Sequence, residues 1–233
     1  MDTLRIQQEI LDVFETNSIY SFPIDCISLL RKYGYECLKY SDQNPEKKAT
    51  CLQVSDDAFR LKKKVYYNDT LQNCRIRFTL MHELGHHVLN HTGDSQQNET
   101  DANYFASNIL APRIAIHYSE CKNANDVSHI FSMSYSAAEI AFDDYRRWRR
   151  YVAYHKMSVL DKAMYRHFFN SNANRFVWHL EQCWDCGREI YNQPGKEFCS
   201  ICSARSGLNP DLDSESYDHL SMDARVLGYI TTL

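Results

Sequence analysis

Glycine and proline are scarce, 7 and 5 among 233 residues, and no low-complexity stretch occurs, which excludes a collagen-like fibre, a linker or a disordered chain. Long apolar runs are missing too. No segment approaches the roughly 18 apolar residues of a membrane span, and the opening MDTLRIQQEILDVFE lacks the continuous apolar stretch of a secretion signal. Nor is there a large charge of one sign: 26 basic against 30 acidic residues leave −4, which advertises neither a nucleic-acid nor an anionic-membrane binder. What the chain does have is 44% hydrophobic residues, enough for a core, together with 10 His and 9 Cys. The length fits one medium domain with at most a small appendage. An odd cysteine count without an export signal points to a reducing, cytoplasmic setting, where cysteines are thiols or metal ligands.

Ile6, Ile10, Val13 and Phe14 recur at helical spacing and predict a helix over residues 3–16. Pro23 is suited to open a second helix, with Gly34 as its C-terminal cap. Short segments rich in Tyr, Val and Leu at 35–40, 50–54 and 64–68, separated by turn formers, predict a small antiparallel sheet. Helical patterning returns from about Leu71 to His91, with Gly93 as terminator, and Ser95 can cap a further helix running to Leu110 before Pro112. More helices are expected at 113–121, at 126–131, after Ser134, and onward to His179. The composition breaks at Glu181, and the tail after Arg205 is acidic and polar, although VLGYITTL can dock as a strand. The expected organisation is therefore a main domain over 1–150, a helical extension over 151–180, a four-cysteine module over 181–205 and a tail over 206–233.

Within RFTLMHELGHHVLNH, residues 82–86 read His82, Glu83, Leu84, Gly85, His86. Histidines four apart on a helix differ by about 40°, so both imidazoles leave one face and can bind a single tetrahedral Zn2+. Glu83 lies beside that face, placed to take a proton from a water that the metal acidifies. Gly85 costs a helix about 1 kcal/mol against Ala, which makes sense where something passes close to the backbone. Phe78, Leu80, Met81, Leu84, Val88 and Leu89 would bury the helix. The third ligand is expected to be Glu99, about 60° from the centre of the stripe formed by Ala102, Phe105, Ala106, Ile109 and Leu110, whereas Asp101 lies about 100° away. Asn103 falls on the same side as Glu99 and can support a ligand by a hydrogen bond. His87 and His91 are alternatives, but His87 is turned about 100° from His86 and His91 sits at the frayed helix end, so both are expected as ordinary histidines, with His91 placed to line the cleft.

RFTLMHELGHHVLNH, followed by ETDANYFASNILAP and then HIFSMSYSAAEIAFDDYRRW, closely resembles the ImmA/IrrE family of bacterial zinc metallopeptidases over about residues 20–150. The resemblance implies an α+β, zincin-like fold of gluzincin type, with helices packed on the small sheet. It implies that His82, His86 and Glu99 bind zinc and that Glu83 is the catalytic base. It also implies a protein substrate, a helix-turn-helix transcriptional repressor of a mobile element or stress response. KVYYND, just before the metal helix, is suited to be an edge strand that pairs with substrate, with Tyr66 and Tyr67 either at the cleft or in the sheet's core. Tyr67, His117 and Tyr118 are candidates to stabilise the oxyanion.

Cys183, Cys186, Cys199 and Cys202 form two CxxC pairs at the spacing of a zinc ribbon, with Gly187 easing the first turn. Four thiolates make a closed, structural site. Cys26, Cys37, Cys51, Cys74 and Cys121 are isolated and expected as packed thiols. Arg146, Arg147, Arg149 and Arg150 surround Trp148 in a basic patch expected at a helix end. Two functions compete. One is a cytoplasmic zinc endopeptidase with one catalytic and one structural ion, acting on a protein and not at a membrane. The other is a non-catalytic zinc-containing regulator that binds DNA or a protein partner through the ribbon and the basic patch.

Overall fold

The computed structural model describes residues 2–93 and 95–205, so the acidic tail and its VLGYITTL segment lie outside the described residues. It divides into two compact units, the first running to His179 and the second starting at Leu180. The first is mainly helical with small sheets, consistent with the expected α+β class.

Helix α1 (Thr3–Asn17) is capped by the Asp2 side chain and buries Ile6, Ile10, Val13 and Phe14, the four residues of the sequence stripe. Helix α2 (Cys26–Lys32) begins three residues after Pro23, because the Asp25 carboxylate accepts from the Ser28 N–H and so supplies the cap. Gly34, at φ +78, follows its end. Strand β1 (Glu36–Lys39) leads into helix α3 (Pro45–Val54), then strands β2 (Ala58–Leu61) and β3 (Lys64–Tyr67).

The sheet departs from expectation in two ways. Residues 50–54 are helical, since Asn44 caps Lys47 N–H at 2.8 Å and Pro45 occupies the first turn, so the helix starts inside the supposed turn. The sheet is mixed rather than antiparallel: β3 is central, parallel to β1 and antiparallel to β2, in the order β1-β3-β2. α3 supplies the crossover that a parallel β1–β3 pair needs. Its Cys51 is buried with Tyr40 and Tyr66, against Leu38 and Phe59, on one face of the sheet.

On the other side, helix α4 (Asn73–Val88) packs against β2 and β3 and against helix α5 (Gln96–Leu110). Ser95 caps α5 through the Asn98 N–H. α6 (Arg113–Tyr118), α7 (Ala124–Phe131) and α8 (Tyr135–Tyr154, capped by Ser134) follow. The run to His179 is only partly helical: α9 (Val159–Phe168) gives way to a hairpin of β4 (Phe169–Asn170) and β5 (Arg175–Phe176). An Arg113–Asp161 ion pair at 2.7 Å ties α9 to α6 within this unit. The core centres on Phe14, Phe22, Phe131 and Phe168, whose ring centroids lie 5.3 to 5.9 Å apart. Arg146, Arg147, Arg149 and Arg150 sit in the body of α8 rather than at its end, and Arg146 and Arg147 pair with Asp143 and Asp144. None of the described helices is long and apolar enough to cross a membrane.

The second unit contains a hairpin of β6 (Leu180–Gln182) and β7 (Glu189–Tyr191), then helix α10 (Ser200–Arg205).

Candidate metal centres

α4 carries His82 and His86 one turn apart, and α5, packed beside it, brings Glu99 to them. The two Nε2 atoms are 3.0 Å apart, and each lies 3.3 Å from a different Glu99 oxygen. Ligands held at 2.0–2.1 Å around a tetrahedral zinc would be separated by about 3.3–3.4 Å, so the three groups fit that ion with little movement. Burial leaves the side chains of His82 and His86 only 16% and 14% exposed, while Glu99 at 44% keeps the site open on its own side. Desolvation, reinforced by His82, lowers the His86 pKa to about 4, so its imidazole is neutral and able to coordinate near neutral pH.

The close approach of the helices explains Gly85. A Cβ there would meet Phe105 Cδ1 at 3.0 Å, and Phe105 is fully buried on α5. Further along α5, Asn103 Oδ1 accepts from His82 Nδ1 at 2.9 Å, orienting that ring with Nε2 toward Glu99.

Glu83 faces a cleft of about 560 Å3 whose walls include His82, His86, Glu99, Ala58 and Arg60. Burial raises its carboxyl pKa to about 7, partly offset by the Arg60 charge. A base with that affinity for a proton is matched to work near neutrality. Arg60 reaches the Glu83 carbonyl and the Tyr35 hydroxyl, each at 3.4 Å. The strand beside the cleft is β2, not KVYYND: β3 lies at the sheet's centre, and Tyr66 and Tyr67 are buried in it. His117 and Tyr118 do not line the cleft either, since His117 meets Tyr145 and Tyr118 stacks on Phe176. His87 turns away, edge-on to Tyr33 and Tyr35.

His91 takes the expected place at the cleft, but helical periodicity does not show the contact it makes with His86. Its Nδ1 lies 3.0 Å from His86 Nδ1, and it lines the cleft. α4 stops at Val88, and the left-handed residue is Asn90, at φ 55, ahead of the expected terminator Gly93. A left-handed Asn just past a helix is a readable stop signal, and the residue after it folds back over the last turn.

In the second unit the four sulfurs lie within 4.8 Å of one another, with Cys186 Sγ and Cys199 Sγ 3.6 Å apart. Zinc–sulfur bonds of 2.3 Å imply about 3.8 Å between ligands, so this quartet also fits the ion. The Cys199 N–H donates to Cys183 Sγ at 3.2 Å, which lowers the pKa of that thiol and favours its thiolate. Three of the four cysteines are buried and Cys186 is exposed; four thiolates would leave a tetrahedral ion no open position for substrate.

Residues 44–143 match a peptidase-family model described as the IrrE N-terminal-like domain. The matched segment carries β2, β3, α4 and α5, with His82, Glu83, His86 and Glu99, and it supports kinship with the ImmA/IrrE peptidases and a metallopeptidase-type function. The cysteine quartet lies beyond it. No curated protein matches the chain.

Proposed function

We propose that this chain is an intracellular zinc-dependent endopeptidase of gluzincin type that cleaves one protein substrate, a helix-turn-helix transcriptional repressor. The observation that carries the peptidase reading is the pairing of His82, His86 and Glu99 at tetrahedral spacing with a half-buried carboxylate, Glu83, on the same open cleft. The match of residues 44–143 supports the same class. The repressor as substrate rests on the family resemblance alone.

A zinc ion held by His82, His86 and Glu99 would polarise a scissile carbonyl and acidify the attacking water. Glu83 takes the proton from that water on its carboxylate and delivers it to the departing amine nitrogen, so it ends the cycle as it began. Asn103 keeps the His82 ring oriented. β2, with no strand on its outer side among the described residues, can pair with an extended substrate through main-chain hydrogen bonds. Cys183, Cys186, Cys199 and Cys202 would hold a structural zinc that organises residues 180–205.

Co-expression of the wild type or Glu83→Gln with the repressor encoded beside the gene tests this reading. The wild type yields a cut product, and Glu83→Gln yields none while keeping its zinc. Intact repressor in both cultures would count against repressor cleavage and favour a binding role.

A further inference from the structure

The end of α4 is built so that residue 91 returns to residue 86. His91 N–H donates to the His86 carbonyl at 3.0 Å and Asn90 N–H to the His87 carbonyl at 3.1 Å, with Asn90 left-handed between them. This is a Schellman cap, in which the second residue past the helix packs on the residue three from its end. That contact is commonly apolar. Here both partners are imidazoles, with ring centroids 5.1 Å apart at 75° and the two Nδ1 atoms at 3.0 Å.

The donor and acceptor roles follow from the metal side. When His86 coordinates through Nε2, the nitrogen that faces His82 and Glu99, its Nδ1 carries the hydrogen and must donate. The atom that faces it is His91 Nδ1, which then accepts and leaves the His91 hydrogen on Nε2. His82 is oriented in the equivalent way by an amide oxygen, that of Asn103.

We propose that His91 is a positioning residue for the metal centre: its Nδ1 accepts the His86 Nδ1–H and so fixes the ring angle and tautomer with which His86 meets zinc. The proposal rests on reading His82, His86 and Glu99 as a zinc site, but not on peptidase activity. Asn90 is the backbone device that sets it, since a left-handed residue is needed to bring His91 over His86.

The test is zinc affinity of the full-length protein, measured by competition with a chromophoric chelator, with His82→Ala defining the contribution of the cysteine site. His91→Leu removes the acceptor and should weaken the open-site ion by about 10- to 100-fold. His91→Asn, whose Oδ1 can occupy the place of Nδ1, should stay within a few-fold of wild type. Asn90→Val, which strains the left-handed turn without touching either ring, should weaken zinc as His91→Leu does, whereas Asn90→Gly should not. Wild-type affinity in His91→Leu, or an Asn variant as weak as the Leu variant, would overturn the positioning role. If wild type and His82→Ala bind the same number of ions, the metal-site reading itself fails.

Discussion

His117 sits on α6 with its ring edge-on to Tyr118 and Trp148 and its Nδ1 3.4 Å from the Tyr145 hydroxyl. Burial, helped by the Arg149 charge, lowers its pKa to about 4. In the unfolded chain a histidine titrates near 6.5. The folded form is therefore the poorer proton binder, so the stability linked to this group is complete above about pH 6.5 and drains away as the pH falls toward 4. At about 1.4 kcal/mol per unit, the loss between pH 7.5 and 5 comes to about 2 kcal/mol. His117→Phe, which keeps an aromatic ring in the same pocket, should remove that part of the slope. Urea unfolding of both proteins at the two pH values measures it, and equal losses would show that His117 is not the group responsible.

At the scale of elements, the joint between α4 and α5 makes the most demanding use of sequence. Replacing Gly85 with Ala would improve helix propensity by about 1 kcal/mol. It would also drive a methyl to 3.0–3.3 Å from a buried Phe105 that has nowhere to go, and overpacking of that kind costs about 1–3 kcal/mol. The net expectation is destabilisation by about 1 kcal/mol in denaturant unfolding. Phe105→Leu in the same chain should relieve the crowding, so the double variant is more stable than the sum of the single effects predicts. Strict additivity would mean that the two residues do not press on each other.

α4 and α5 were legible because their signals are local: Ser95 as cap, the stripe from Ala102 to Leu110, and the four-residue spacing of His82 and His86. The sheet was not. TCLQV at 50–54 has the composition of a strand, but Asn44 and Pro45, several residues upstream, commit it to α3. The place of KVYYND at the centre of the sheet depends on β1 returning parallel to it, a pairing between residues 28 apart that no window of sequence displays. The place of His91 at the cleft was legible, but its contact with His86 was not, for a related reason: a five-residue separation is off-face on a continuing helix, and only the turn at Asn90 brings the rings together.

For the molecule as a whole, the two units differ in what holds them together. The first has a core of fully buried aromatic and aliphatic side chains, among them Phe14, Phe22, Phe105, Phe131 and Phe168. The buried cluster of the second consists of Cys183, Ile190, Cys199 and Cys202, with Phe198 packed against it, so three of its four members are thiols. Residues 180–205, the described part of that unit, gain too little from apolar burial to order themselves, and an ion held by the four cysteines would supply the difference. Cys199→Ser should therefore reduce bound zinc from two ions to one and make residues 180–205 sensitive to limited proteolysis. The first unit should remain resistant and should keep the ion that His82→Ala abolishes. The converse variant, His82→Ala, should lose its ion without exposing either unit to protease, because the open site lies between helices that are already packed on one another. Zinc counting together with mass analysis of the proteolytic fragments separates the two behaviours. A second unit that stays protease-resistant in Cys199→Ser would mean that the metal is not what folds it.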